Sequence, residues 1–400
     1  MSIAVFRDRN YALYALGNTI SSLGTWAQRV GVGWLSWELS HSASWVGLVS
    51  LCQFLPVTMF APLFGGLLDR SDPKQYTIAT NAALMVIAAM LWVVTAMGAM
   101  SLGWLCALSL LLGIANAAYH PARLSIVNEV APPGRLAEAI ATNSILFNLA
   151  RSVGPALAGI SIAALGIAAT FAINAISYLA VVASLVVITM RRAPRRPSAG
   201  FISDFTDGLR YAAGHRFIRD LMLLSFVTST LGRGIVELLP AFAGGVYDRG
   251  SSGLAALTTA TGIGAVIGGM FLSRSGRDDG LLTFAHRSAM LVGVAVAAFG
   301  LTPNYVAGMV AIFVLGVITV MSNVGLQVVL QKSIDETFRG RILGLWGMCN
   351  VAGPGIGGAV LGSLAQGIGV RGATVFSGAL CIGLTVWIVR GRRGTYTHNT

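Results

Sequence analysis

Long stretches of this chain carry neither charge nor histidine, and they come in two sizes. Residues 42–68, 250–273, 342–370 and 372–389 contain no Asp, Glu, Lys, Arg or His. Residues 75–119, 152–190 and 288–331 are equally bare and much longer. A membrane-spanning helix needs about 20 apolar residues. The shorter group therefore predicts one span each. The longer group predicts two each, broken near Gly98–Gly103, Gly166 and Thr302-Pro303-Asn304, where turn-forming residues interrupt the run. Two further apolar runs carry charge inside them: 12–37 with Arg29, and 218–245 with Arg233 and Glu237. The pattern predicts twelve spans, at 12–37, 44–68, 75–97, 102–122, 138–164, 168–190, 218–245, 252–273, 281–301, 304–328, 341–366 and 371–390. The first run is too long for a signal-peptide core and has no small-residue cleavage site after it, so it is expected to be retained.

Composition agrees. Of 400 residues, 55% are hydrophobic and 10% charged, against about 25% charged in a soluble domain. The expected fold is an all-α membrane protein. The formal charge of +12 would suit nucleic acid if it formed one stripe. It does not, because 22 of the 27 basic residues fall on one side of the predicted spans. That bias follows the positive-inside rule and places both termini in the cytoplasm. No nucleic-acid partner is expected. Cys52, Cys106, Cys349 and Cys381 lie singly in apolar runs, a pattern of small core residues and not of a metal site or disulfide framework.

The longest polar stretch, RRAPRRPSAG at 191–200, follows six spans and precedes six. The expected organisation is an N-terminal six-helix bundle (1–190), a cytoplasmic linker (191–217) and a C-terminal six-helix bundle (218–400). Beyond the prolines, Phe201, Phe205, Leu209 and Ala212 recur at helical spacing opposite Asp204, Asp207 and Arg210. An amphipathic helix on the inner leaflet and a solvated linker helix fit this equally. The halves echo each other. VGPALAG (153–159) in the fifth span matches AGPGIGG (352–358) in the eleventh, and GGLLDRSDPK (65–74) has a worn counterpart in GMFLSRSGR (269–277). An internal repeat across a membrane is a common transporter architecture.

At these residues the chain resembles the major facilitator superfamily. Gly65, Leu67, Asp69, Arg70 and Lys74 resemble its signature between the second and third helices, with Asp72 and Pro73 where the family has Gly and Arg. Gly154-Pro155-Ala156-Leu157-Ala158-Gly159 resembles the antiporter signature of the fifth helix, with Ala150 where a further glycine often stands. Longer stretches, among them PARLSIVNEVAPPGRLAEAIATNSILFNLARSVGPALAG, are similar to the bacterial exporter branch that includes the enterobactin exporter and macrolide-efflux proteins. The resemblance implies two pseudo-symmetric bundles. It also implies that Gly65, Asp69, Arg70 and Lys74 form a conformational latch against the eleventh helix.

Several residues carry candidate chemistry. A charge at mid-span costs about 2.5–3.5 kcal/mol on insertion scales, so such residues are functional candidates. Arg29, Arg151 and Arg233 are the intramembrane cations, and Glu237 is the carboxylate deepest in a span. Arg233 and Glu237, at i,i+4, can pair on one helix face. A proton carrier needs a carboxylate alternately wetted and desolvated. Glu237, and next Glu38 at the outer end of the first span, are the coupling candidates; an ion pair that fixes packing is the alternative for each. Gly154, Pro155, Gly159, Gly353 and Pro354 are expected to bend and closely pack their helices. Gln28, Asn116, Asn143, Asn148, Asn323, Gln327 and Asn350 are expected to line a cavity or to bond between helices.

The expected function is secondary active export of a small amphipathic molecule, by proton antiport, from the bacterial inner membrane. The substrate class, a siderophore or a drug such as a macrolide, rests on the resemblance alone. A lysophospholipid or metabolite carrier (flippase or uptake) and a non-transporting scaffold are the alternatives. No nucleotide loop or catalytic constellation is present, so neither an enzyme nor a cofactor is expected. The expected partners are substrate, protons and lipid, around a monomer.

Overall fold

The structure is a computed structural model that describes residues 3–189, 201–274 and 281–390. The polar stretch 191–200 and the basic residues Arg277, Arg392 and Arg393 lie outside the described residues. Among the described residues there is no strand. After a short 3-10 turn, the first six helices are α1 (Arg9–Ser40), α2 (Ala43–Asp69), α3 (Pro73–Ala96), α4 (Leu102–Val130), α5 (Leu136–Leu165) and α6 (Ile167–Val187). Then follow α7 (Phe201–Gly214), α8 (Arg216–Val227), α9 (Gly234–Glu237) and α10 (Leu239–Ala241). The remaining four are α11 (Gly250–Arg274), α12 (Leu281–Gly300), α13 (Tyr305–Ser333) and α14 (Arg339–Arg390).

Among the described residues nine helices are long and apolar enough to cross a membrane, or ten when the bent pair Arg216–Glu237 and Leu239–Val246 counts as one span. The 52-residue α14 counts once there, yet Gly369 breaks it at φ 74 into an eleventh and a twelfth segment. With the charged α1 the tally is consistent with twelve. The turns sit where the sequence is bare of side chains. Gly166, at φ 83, separates α5 from α6, and that left-handed backbone is one glycine adopts at no steric cost.

Three elements differ from the sequence expectation. The fourth span was expected to end at 122, but α4 continues to Val130. Its last turns keep a buried face of Ile126, Val127 and Val130, and Glu129 is buried beside them. Arg123, counted from sequence as a residue of the turn beyond the span, therefore lies inside the helix. The seventh span is not one α-helix. Residues Thr228–Arg233 and Phe242–Val246 form π turns, and the axis bends by 41° between Glu237 and Leu239. Pro240 removes a backbone donor and crowds the preceding turn, and four glycines (232, 234, 244 and 245) supply little side-chain restraint. Third, the segment after the polar stretch is a helix docked on protein. Phe205 packs on, and Ala212 joins, a buried cluster with Ile342, Leu345 and Ile334. Tyr211 stacks on Phe338 at 4.2 Å and donates to Asp335 Oδ2 at 2.8 Å.

Packing groups the chain into two compact units. One takes α1, α2 from Cys52, α3–α6 and α11 as far as Thr259; the other takes His41–Leu51, α7–α10, the rest of α11 and α12–α14. Within each, small residues let backbones approach. On α1, Gly17, Gly24 and Gly31 follow each other every seventh residue along α6, where an added Cβ would meet Ala180 O at 2.7 Å, Asn174 Oδ1 at 2.5 Å and Phe171 at 3.0 Å. Large apolar side chains such as Leu16, Ile176 and Trp387 are exposed instead. That is the inside-out economy of helices whose solvent is hydrocarbon, where close packing must replace a hydrophobic drive.

Candidate functional site

The sequence repeat has a structural counterpart in the helix crossings. On α5, an added Cβ at Gly154 would fall 2.5 Å from Trp26 Cβ and 3.0 Å from Leu23 O, both on α1. On α14, an added Cβ at Gly353 would fall 2.5 Å from Ser229 Oγ in the seventh segment. Each Gly-Pro element thus lays its glycine on the first helix of its own half. The second crossing is the tighter one. Gly357 would collide with Thr230 O, Gly234 sits over Gly357 at 2.8 Å, and Gly358 is covered by the stem of Glu237 at 3.0 Å.

Around the first crossing the intramembrane cations meet aromatic faces. The Arg29 guanidinium carbon lies 5.1 Å from the Trp26 ring and 4.5 Å from the Phe54 ring. Trp26 meets Phe147 edge-on at 5.9 Å, and Arg123 lies 4.1 Å from the Phe147 ring. All five side chains are half-buried, as is Arg151, one turn beyond Phe147 on α5. Arg151 is within electrostatic range of Arg29. Around the second crossing the polar groups bond to protein. Asn350 accepts at Oδ1 from Asn323 Nδ2 (2.7 Å), and its own Nδ2 donates to Ser225 Oγ (3.1 Å). Its carbonyl accepts from Arg233 Nη1 at 3.3 Å and from Ser229 Oγ at 3.4 Å. Asn350 therefore ties α13 and the seventh segment to α14.

The remaining polar candidates divide by burial. Gln28 accepts from Asn174 Nδ2 at 2.8 Å, and Asn143 accepts from Asn18 Nδ2 at 3.3 Å. Both are buried and spend their polarity between helices. Asn116 and Asn148 donate to the carbonyls four residues earlier on their own helices. They are half-buried, as are Asn323 and Gln327. Glu38 is exposed at the end of α1, and Glu237 is half-buried.

The latch candidates sit at the α2–α3 turn. Added Cβ atoms at Gly65 and Gly66 would meet nothing within 4 Å, and Asp69 and Arg70 are exposed. The opposite end of α2 is packed. There Gly47 would collide with Gly358, and Ser44 Oγ donates to Gly362 O at 2.9 Å. Lys74 is anchored, its Nζ donating to Val186 O (3.1 Å) and Ile188 O (2.9 Å) at the end of α6. A cation there satisfies orphan carbonyls and opposes the helix dipole. Asp72 N-caps α3, accepting from the Lys74 and Gln75 amides at 2.9 and 3.1 Å, with Pro73 next in the chain. That accounts for the departure of this loop from the superfamily pattern, since Asp-Pro is a strong helix start.

Several participants were not singled out from sequence. Phe54 and Phe147 are ordinary apolar residues in their runs. Ser225 and Ser229 become visible once the seventh segment is seen to cross α14. Tyr119 donates to Asn18 Oδ1 at 3.0 Å, which extends the Asn18–Asn143 pair to α4. Cys52 and Cys106, on α2 and α4, are both free thiols.

The match of a family model over nearly the whole chain makes this a multi-pass membrane transporter of the major facilitator class. The chain belongs to the transmembrane secretion effector family within it, whose model matches residues 1–393. It is 23% identical over 324 residues to the staphyloferrin A transporter of Staphylococcus aureus, covering 81% of each chain. It is 22% identical over 385 residues to macrolide efflux protein A of Streptococcus pyogenes, covering 94% of each. A solved POT family transporter shares the fold at a TM-score of 0.73, with 13% identity and 96% of each chain covered.

Proposed function

We propose that this protein is a secondary active exporter of a small amphipathic molecule, a siderophore or a drug such as a macrolide. It works by proton antiport across the bacterial inner membrane, with both termini in the cytoplasm. Two six-helix bundles, 1–190 and 218–400, joined by the 191–217 linker, rock in alternating access as a monomer. The observation that carries this reading is the repeated crossing. Gly154 packs closely on α1 and Gly353 on the seventh segment, and paired close crossings in two repeats suit rocking in alternating access. Export is supported by the full-length similarity to a macrolide efflux protein, and a siderophore cargo by the similarity to a staphyloferrin A transporter.

Within that reading Glu237 carries the proton and Glu38 assists at the outer end. The stem of Glu237 covers Gly358 where α14 is most tightly crossed, so a change in its charge acts directly on the pivot. Gly65, Asp69, Arg70 and Lys74 latch one state of the cycle. Pro155 and Pro354, with Gly154, Gly159 and Gly353, bend the helices they interrupt.

The test is efflux in proteoliposomes with an imposed pH difference, beside accumulation in cells lacking the gene. Raised intracellular substrate in the deletion strain is expected; lost uptake would reverse the direction. Glu237→Gln is expected to abolish the dependence of efflux on the pH difference, and a wild-type dependence would remove Glu237 from coupling.

A further inference from the structure

We infer that α1, α2, α4 and α5 build a binding site for an anionic ligand with a planar conjugated body, held by Arg29, Arg123 and Arg151 and by the rings of Trp26, Phe54 and Phe147. The inference rests on the exporter reading for its cargo role, but its evidence is separate.

Arg123, Phe147, Trp26, Arg29 and Phe54 form one continuous run from four helices, each step within 6 Å. A guanidinium held on an aromatic face keeps its in-plane N–H donors directed outward, the geometry that grips a carboxylate or phenolate by two bonds. Arg123 Nη1 is buried and has no hydrogen-bond partner among the described residues. A buried donor left unmade is destabilising, and an incoming anion would satisfy it. The rings offer edges and faces to a conjugated body. Arg151 stands one turn beyond Phe147 on the same helix face, since residues four apart are neighbours.

Charge decides the sign of the ligand. On α1–α6 the carboxylates are Glu38, Asp69, Glu129 and Glu138, and each lies within the first or last three residues of its helix. The middle of these helices carries cations alone. In the other half, Arg233 and Glu237 stand four residues apart. A cationic amphipath would meet like charge along the whole run, whereas an anion would meet three partners of opposite sign.

The experiment uses the full chain in nanodiscs and in proteoliposomes, with two matched probes that share a naphthalene body: naphthalene acetate and its trimethylammonium counterpart. Equilibrium binding is read in nanodiscs, and efflux in proteoliposomes. The carboxylate is expected to bind at least about tenfold more tightly, roughly the worth of one charge-assisted pair. Arg29→Gln and Arg123→Gln are expected to erase that preference. Arg29→Lys, which keeps charge but not the planar fork, is expected to retain part of it. Size-exclusion profiles identify variants that misfold, and Arg29→Lys then stands in for Arg29→Gln. Equal or tighter binding of the ammonium probe, no binding of either, or full carboxylate preference in both glutamine variants would overturn the site. Selective carboxylate binding without efflux would support the site and count against the exporter reading; efflux of both probes without preference would do the reverse.

Discussion

The two Gly-Pro crossings are the same device used twice, and they differ in what surrounds them. Where α5 crosses α1, an added Cβ at Gly154 meets Trp26 Cβ and then the Leu23 carbonyl; where α14 crosses the seventh segment, one at Gly357 collides with the Thr230 carbonyl. Aligning Gly154 with Gly353 places Arg151 opposite Asn350. Arg151 carries an electrostatic neighbour of like sign, and Asn350 bonds three helices together. The arginines of the partner helices follow suit. Arg29 lies three residues beyond Trp26, and Arg233 lies four beyond Ser229, the additional residue falling in the π turn Thr228–Arg233. Such single-residue insertions recur at functional places in helices. Arg29 rests on rings, whereas Arg233 donates to a backbone carbonyl. The close glycine crossing is common to both elements while the chemistry around it differs: arginines lie against aromatic rings at the first, and polar groups bond between helices at the second.

The largest expected effect tests the packing side of this contrast. Gly357→Ala drives a methyl group into the Thr230 carbonyl and is expected to cost more than about 3 kcal/mol, whereas Gly154→Ala, against Trp26 Cβ at 2.5 Å and Leu23 O at 3.0 Å, should cost about 2–3 kcal/mol. Thermal unfolding in detergent reads the difference, and the reverse order would break the comparison. Next, Asn350→Ala leaves Asn323 and Ser225 without their partner and should cost about 1–3 kcal/mol. Arg151→Asn at the equivalent place is expected to leave the unfolding midpoint close to wild type while lowering efflux; a matching loss of stability would make the two positions alike. The smallest effects sharpen the picture of α7. Tyr211→Phe removes the bond to Asp335 and should cost about 1 kcal/mol. Asp207→Asn breaks a pair to Arg341 at 3.8 Å between side chains 40% and 30% exposed, for which roughly 0–1 kcal/mol is expected. Desolvation, and then the Asp335 hydrogen bond, hold the Tyr211 hydroxyl above its ordinary value of 10, so the Tyr211 contribution should be flat in urea titrations up to about pH 9.

The spans were legible because lipid excludes charge, and the gaps between Asp, Glu, Lys, Arg and His mark them. The turn at Gly166 and the helix start at Asp72-Pro73 were equally visible, each being a local backbone preference. What escaped was non-local or locally silent. The end of α4 was misread because Arg123 looks like an exit signal, yet its guanidinium lies on Phe147, a residue of another helix. The π turns have no compositional mark of their own beyond glycines and one proline. The polar candidates lie on helices read from the sequence, but whether Gln28 faces Asn174 or open space depends on a helix packed 146 residues away. The aromatic partners of Arg29 could not be chosen by spacing alone from a chain with 17 Phe, 9 Tyr and 8 Trp. The glycines at 17, 24 and 31 were there to be read, and a seven-residue period is the signal that would have paired α1 with a neighbour.

The anchorage of Lys74 has a mechanical corollary. Its ammonium holds the Val186 and Ile188 carbonyls at the far end of the sixth helix, so the corner joining the second and third helices is tethered to a rod remote in sequence. A displacement of this corner that kept both bonds would carry the end of that rod with it.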